Sequence, residues 1–406
     1  MKILYISTVF PQINENSTIY TDLAEKLVER GHSVTVVATT YRREIRKPLI
    51  KNERGCKVLW VPVPPIYNVS LIRKGISILI LPFLIKYRIK KYLITEAYDL
   101  ILFESPPLTL ESVVRYSKKL FNAKAFLMLK DIFPQNAIDI DIFSKNGIIS
   151  KYFRHKETQL YKTADRIGCM SNANLEYINF HNSVGINKLC IFPNTKRVTH
   201  PAEIDKKYIR RKYNLPMNKT IFLFGGNMGK PQGIEFLTKA IKHTEKYVEA
   251  FFILVGRGTE KIFIEKELSK CNNVLLIENL PREQYEEVLS ASDVGIISLD
   301  YRFTIPNFPS RILSYMDYSK PILGLVDPAT DINQLIEASK CGYWCYSNSI
   351  EDFYSKVKLF SESIEEREIM GKNGRRYFEE NLDVNKSVDI LENQWRAMHD
   401  CYEEGE

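Results

Sequence analysis

Short apolar runs along the chain alternate with longer stretches in which apolar residues recur every three or four positions. ILYIS (3–7), a helical pattern over 18–30 and SVTVVAT (33–39) open the series, and LILF (100–103), AFLML (125–129), RIGCMS (166–171) and KLCIF (188–192) continue it. Strand-sized runs separated by helix-sized ones predict crossover units, hence a parallel sheet covered by helices. The polar, proline-bearing stretch PNTKRVTHPAEIDKK (193–207) interrupts the pattern, and a second series follows: TIFLF (220–224), FFILVG (251–256), NVLLI (273–277), VGIISL (294–299) and PILGLV (321–326). The chain therefore reads as α/β, with Rossmann-like, doubly wound domains over 1–195 and 205–385. The tail DILENQWRAMHDCYEE (389–404) has helical spacing, and a final helix over about 386–406 is expected to pack back onto the first domain.

Residues 71–91, LIRKGISILILPFLIKYRIKK, break this rhythm. The apolar centre from Ile76 to Ile85 is interrupted by Pro82 and is too short to span a bilayer. Arg73 and Lys74 precede it, and Lys86, Arg88, Lys90 and Lys91 follow. Two compatible readings are open. One is a pair of helices half-buried against the first sheet, with solvated lysines; the other is an interfacial anchor whose cations meet an anionic membrane surface.

Composition narrows the classes. A chain of 406 residues exceeds what one hydrophobic core usually serves, and 45% hydrophobic with 26% charged residues suits a folded protein. Residues 1–200 hold 30 Lys and Arg against 16 Asp and Glu, whereas the remainder holds 27 against 33. A basic first half suits an anionic membrane or substrate as well as nucleic acid. Nucleic acid is not expected, because no aromatic-basic module or recognition-helix pattern is present. Seven scattered cysteines, an odd number, read as reduced thiols of a cytoplasmic protein. Cys341 and Cys345 have no second Cys/His pair nearby, and His155 and His181 have no partner at ligand spacing, so no metal site is expected. MKILYISTVFPQ, broken early by Pro11, reads as a buried first strand rather than a leader.

Two stretches carry candidate chemistry. In FLFGGNMGKPQGIEFL (222–237) a strand is expected to end at Phe224 and the chain to turn through Gly225, Gly226, Asn227 and Gly229 before a helix near Gly233. Glycines permit close backbone approach, the helix start offers free amides to an anion, and Lys230 adds charge. The spacing is not that of a P-loop, and no G-x-G-x-x-G follows the first strand. In NFPSRILSYMDYSKPIL (307–323), Pro309 and Ser310 suit a helix start and Arg311 supplies a guanidinium. Taken singly, these are equally a glycine turn and a capped packing helix. Taken together, they could hold one diphosphate at the carboxyl edge of the second sheet, where open α/β sheets bind ligands.

The ordered series GGNMGKPQG, FILVGRG, ENLPREQYEEVLSASDVGIISL and PSRILSYMDYSKPIL resembles the donor domain of the GT-B glycosyltransferases of family 4, particularly bacterial O-antigen and capsule enzymes. ERGHSVTVVATTY (29–41), LKDIFPQNAID (129–139) and YKTADRIGCMSNANLEY (161–177) extend the likeness over nearly the whole chain. The resemblance implies the GT-B fold, two Rossmann-like domains facing across a cleft. It also implies retaining transfer of a sugar, most simply from a UDP-sugar, to a lipid-linked saccharide at the inner face of the cell membrane, with no metal or other cofactor. Gly225, Gly226, Asn227, Gly229, Lys230 and Gln232 then match the donor phosphate loop; Gln232 falls where many relatives are basic. Gly256 and Arg257 match the next strand-end loop, near the nucleotide, and Ser310 and Arg311 match the helix start that holds the diphosphate. Asp131 matches the first-domain loop directed toward the reacting sugar, and Lys130 stands where many relatives have histidine.

The chain also departs from the family. Many relatives have two glutamates eight positions apart, the later one holding the ribose; Pro306 and Ser314 occupy those positions here. The usual glycine pair of the first loop is replaced by NENST (14–18), so that Asn16, Ser17 and Thr18, with Glu104 of FESPPL, are assigned to the acceptor side. With no secure nucleophile, the expected mechanism is front-face displacement, in which the leaving phosphate helps remove the acceptor proton. Two rivals are a GT-B sugar-nucleotide epimerase or hydrolase and a catalytically weak partner subunit; the lost acids at Pro306 and Ser314 favour the latter.

Overall fold

In β1, Lys2–Ser7, four successive side chains from Ile3 to Ile6 are fully buried, which requires cover on both faces. A computed structural model supplies that cover, and describes residues 1–13, 17–41, 47–65, 70–200, 205–247, 249–278 and 280–400. The chain divides into two units. The first comprises Met1–Ile138, Phe143–Arg197 and the chain from Val384; the second comprises Asp139–Ile142 and Val198–Asp383.

The first unit holds an eight-stranded sheet built from β1, β2 (Ser33–Thr40), β3 (Leu49–Glu53), β4 (Cys56–Pro62), β5 (Leu100–Ser105), β6 (Lys124–Leu129), β7 (Arg166–Cys169) and β8 (Leu189–Ile191). Its order is β3-β4-β2-β1-β5-β6-β7-β8, parallel except for β3. Chain order reverses beside β1, which pairs with β2 on one side and β5 on the other, so the carboxyl ends of β1 and β5 form the switch point. Tyr5, Phe126, Met128 and Phe192 fill the core on one face, joined by Val388 and Leu391 of the helix Val384–Asp400. That helix is held by Arg30 to Asp389 and Glu392, both at 2.9 Å, and by Thr195 to Ser387 at 2.7 Å.

The β3–β4 hairpin was not foreseen in the sequence. Its two-residue turn, Arg54 (φ 54°) and Gly55 (φ 74°), has the paired positive angles that match hairpin twist, so the Gly in NERGC was the available signal. Residues 71–91 form neither a helix pair nor a break at Pro82 but one helix, Leu71–Leu93. Leu81, Ile85, Ile89 and Leu93 make a continuous buried face that holds the helix together across the proline.

The second unit has a parallel six-stranded sheet of β9 (Thr220–Asn227), β10 (Ala250–Arg257), β11 (Val274–Ile277), β12 (Val294–Ser298), β13 (Ile322–Val326) and β14 (Gly342–Tyr346), in the order β11-β10-β9-β12-β13-β14. Phe222, Phe252 and Phe353 stack in series under it. The switch point lies between β9 and β12. Among the described residues, no helix is long and apolar enough to cross a membrane.

The packing of the last helix gives a direct check. Leu391→Ala, at a fully buried position, is expected to lower unfolding stability by about 2–5 kcal/mol in urea titrations.

Candidate active site

The glycine run of the second unit is strand, not turn. β9 continues past Phe224 to Asn227, pairing Gly225 with Val255, Gly226 with Gly256 and Asn227 with Arg257. The sequence expectation of a strand ending at Phe224 is corrected because these glycines serve close packing. A Cβ on Gly225 would stand 2.2 Å from the Tyr285 hydroxyl, and one on Gly256, at φ +153°, would stand 1.8 Å from the Gly226 carbonyl oxygen. The chain turns only afterwards, where the Met228 amide donates to the Arg257 carbonyl at 2.7 Å. A short 3-10 turn, Lys230–Gln232, then leads through Gly233 (φ +55°) into the helix Ile234–His243. Asn227 and Lys230 are exposed, whereas Gly229 is buried.

Arg311 opens the helix Arg311–Asp317 and sends its side chain beneath Gly226, where an added Cβ would meet Nη2 at 3.4 Å. Nη2 donates to Gln232 Oε1 at 2.6 Å, and the guanidinium lies 4.5 Å from the centre of the Phe224 ring. Nη1 is buried without a partner. Burial draws the Arg311 pKa below its ordinary value, because a neutral amide and a ring face compensate the charge only weakly. Two tyrosines fix the floor: the Tyr315 hydroxyl donates to the Leu223 carbonyl at 3.0 Å and accepts from the Gly225 amide at 3.2 Å, and Tyr285 abuts Gly225. Gly225, Gly226, Gln232 and Arg311, chosen from separate stretches of sequence, thus meet at one point.

Ser310 departs from expectation. It occupies the N-cap position but has helical angles, φ −65° and ψ −15°, and its exposed side chain makes no capping bond. Ser314 is half-buried one turn further on, and Pro306 is buried. Gly256 and Arg257 end β10 beside a cavity of about 210 Å³ lined by Met228, Ile264, Leu276 and Ile277. Lys261, bonded to Glu278 at 3.1 Å and Glu265 at 3.4 Å, forms part of its wall. Sequence reasoning missed this cavity, since its apolar residues read only as strand and helix core.

In the first unit, Glu104, Lys130 and Asp131 sit at the carboxyl ends of β5 and β6. Glu104 was expected to reach an acceptor from a strand end; instead it is 1% exposed. Its Oε1 accepts from Ser7 Oγ at 3.0 Å and the Thr8 amide at 2.7 Å, which fixes the turn after β1, while Oε2 is buried without a partner. Burial raises its pKa to about 7 against the pull of those donors. Lys130 lies over the Phe192 ring at 5.3 Å, and burial lowers its pKa to about 7, opposed by the Glu104 carboxylate. Asp131 accepts from Asn136 Nδ2 at 2.5 Å; its Oδ1 is buried and unpartnered, and burial raises its pKa to about 6. Thr18 is occupied as a helix cap, its hydroxyl accepting from the Thr21 amide at 3.3 Å. Ser17 precedes it, half-buried, and Asn16 lies outside the described residues.

This geometry can be set beside known proteins. Residues 205–377 match the family described as glycosyl transferases group 1, and residues 17–195 match glycosyltransferase family 4. The chain belongs to the group 1/family 4 glycosyltransferases. It is similar to the probable glycosyltransferase WbjE of Pseudomonas aeruginosa, 25% identical over 62% of this chain and 63% of that protein, so it spans just under two thirds of that relative's length. The putative colanic acid biosynthesis glycosyl transferase WcaI of Escherichia coli strain K12 is 23% identical over 83% of this chain and 86% of its own. The GT-B fold is shared with Anabaena HepE in complex with UDP-glucose, at a TM-score of 0.70 and 15% identity, over 97% of this chain and 99% of that one.

For this glycosyltransferase, Glu104 gives a prediction whose sign follows from its raised pKa. Between about pH 4.5 and 7 the unfolded chain releases this proton while the folded protein retains it, so stability falls as pH rises through that window. Glu104→Gln is expected to flatten this fall by on the order of 2 kcal/mol, read from urea unfolding at stepped pH. An unchanged slope would show that Glu104 titrates normally.

Proposed function

We propose that this glycosyltransferase moves a sugar from a nucleoside-diphosphate sugar, with a UDP-sugar as first choice, to a lipid-linked saccharide in bacterial surface polysaccharide synthesis. One observation carries the donor assignment: the Arg311 guanidinium lies beneath a side-chain-free strand edge with Nη1 unpartnered. A diphosphate would complete its hydrogen bonding and offset its burial. The likeness to a UDP-glucose-bound fold supports a uridine donor, and the cavity beside Gly256, whose wall mixes apolar side chains with Lys261, Glu265 and Glu278, has room for part of the nucleoside. The name of WcaI supports a polysaccharide product.

In this reading the departing diphosphate draws its stabilisation from the Arg311 guanidinium and Lys230, since the Gly225 and Met228 amides are already taken by Tyr315 and Arg257. These fixed donors need no reorganisation as charge develops, and the reading calls for no metal ion. The acceptor oxygen forms its bond to the anomeric carbon as the bond to phosphate breaks. The acceptor proton passes to the leaving phosphate, with retention of configuration. Asp131, with one free carboxylate oxygen, is assigned to the sugar side, where it favours positive charge at the anomeric carbon, and Lys130 is assigned beside it. Pro306 leaves no carboxylate at its position, and Ser314 offers the ribose a hydroxyl in place of one.

Transfer from radiolabelled UDP-glucose and related UDP-sugars into extracted bacterial lipid tests the reading. Arg311→Ala is expected to lose about 10²–10³-fold in kcat/KM. Its melting temperature without ligand should be unchanged or raised, since a poorly compensated buried charge is removed. Asp131→Asn should lower kcat with little change in KM. Transfer at wild-type rates by Arg311→Ala, or incorporation from no nucleotide sugar, would contradict the proposal.

A further inference from the structure

The helix Leu71–Leu93 leaves one face uncovered. Ile76, Leu79, Ile80, Phe83 and Tyr87 are 52%, 53%, 39%, 68% and 56% exposed. Four of them lie three, four, seven and eleven positions beyond the first, which sets all five on one stripe. Ile94, just past the helix end, is 51% exposed and continues the same line. The opposite face, through Leu81, Ile85, Ile89 and Leu93, is fully committed to the first unit, where the helix packs on Glu111–Phe121. A stripe running along the helix for about 27 Å, at 1.5 Å per residue, is a surface that lies on something rather than a plug that enters a pocket.

Charge identifies what it lies on. Between Glu53 and Glu96 the chain contains no acidic residue, while Arg73, Lys74, Lys86, Arg88, Lys90 and Lys91 supply six cations. At 3.6 residues per turn, Arg73 and Lys91 fall along one flank of the stripe, with Lys86 and Lys90 along the other. Lys90 and Lys91 are exposed. The Lys86 ammonium lies 4.8 Å from the Phe83 ring centre and the Arg88 guanidinium 4.9 Å from that of Tyr87, so aromatic and cationic groups emerge together. We infer that this helix docks the first unit onto an anionic phospholipid surface, with Leu79, Phe83 and Tyr87 entering the headgroup boundary and the flanking cations meeting lipid phosphates. A protein partner matched to this face would need an apolar strip bordered by acids on both sides. An anionic bilayer presents that combination everywhere, and a second copy of this helix would oppose cations to cations.

The inference does not depend on the sugar-transfer reading, because lipid binding is measured without donor or acceptor. Full-length protein is sedimented with phosphatidylcholine vesicles, with and without phosphatidylglycerol, and its mass without lipid is measured by analytical ultracentrifugation. Binding is expected to phosphatidylglycerol-containing vesicles and to fall steeply at about 0.5 M salt. Lys90→Glu/Lys91→Glu should weaken it by about 25-fold or more, and Phe83→Ala/Tyr87→Ala by about tenfold or more, with unchanged melting temperatures because these side chains are exposed. Equal binding to both vesicle types, variants that bind like the parent, or a dimer that the Phe83→Ala/Tyr87→Ala variant dissociates would each overturn the inference.

Discussion

A half-buried cation with only a neutral hydrogen-bond partner governs the second unit. The Arg311 guanidinium touches Gln232 and the face of Phe224, and one of its nitrogens bonds to nothing. Partly desolvating a charge with no opposite charge beside it is unfavourable unless something else is gained. The surroundings are built to keep it there: Gly226 yields the space above it, Tyr315 and Tyr285 fix the strand over it, and Gly256 lets β10 close against that strand. A site paired in advance with a carboxylate would be more stable and less able to receive an anion. In the proposed function, the strand edge and its arginine trade folded stability for a preformed receptor.

The first unit repeats the theme with two carboxylates and a lysine. Glu104, Lys130 and Asp131 are all desolvated at strand ends, all shifted toward neutrality, and two of them retain a free buried oxygen. Glu104 has a structural task, since the turn after β1 hangs on its Oε1, and Asp131 likewise accepts a side-chain hydrogen bond on one oxygen, from Asn136.

Much of the fold was legible because parallel strands buried on both faces must be continuous apolar runs, and ILYIS or TIFLF can be little else. What periodicity could not convey were features set by tertiary packing. In the β3–β4 hairpin the first four residues of β3 are exposed, apolar Leu49 and Ile50 beside polar Lys51 and Asn52, so its pattern was weak and its Arg-Gly turn easily passed over. Pro82 looked like a break, yet a buried face running through Leu81 and Ile85 carries the helix past it. At the site, residue identities pointed to Gly225, Gly226 and Arg311, but not to their relation. The glycines were expected to turn the chain, whereas they keep β9 extended against Tyr285 and β10. Ser310 fitted a cap by residue type, but its backbone is already helical and its hydroxyl makes no cap bond.

Calorimetric titration of the wild-type protein with UDP, UMP and uridine at one ionic strength isolates what the arginine and glycine edge contribute. A charge-assisted hydrogen bond adds about 1.5–3 kcal/mol, so UDP is expected to bind at least about tenfold more tightly than uridine, with UMP between them. Equal affinity for UDP and uridine would mean that Arg311 does not receive the diphosphate.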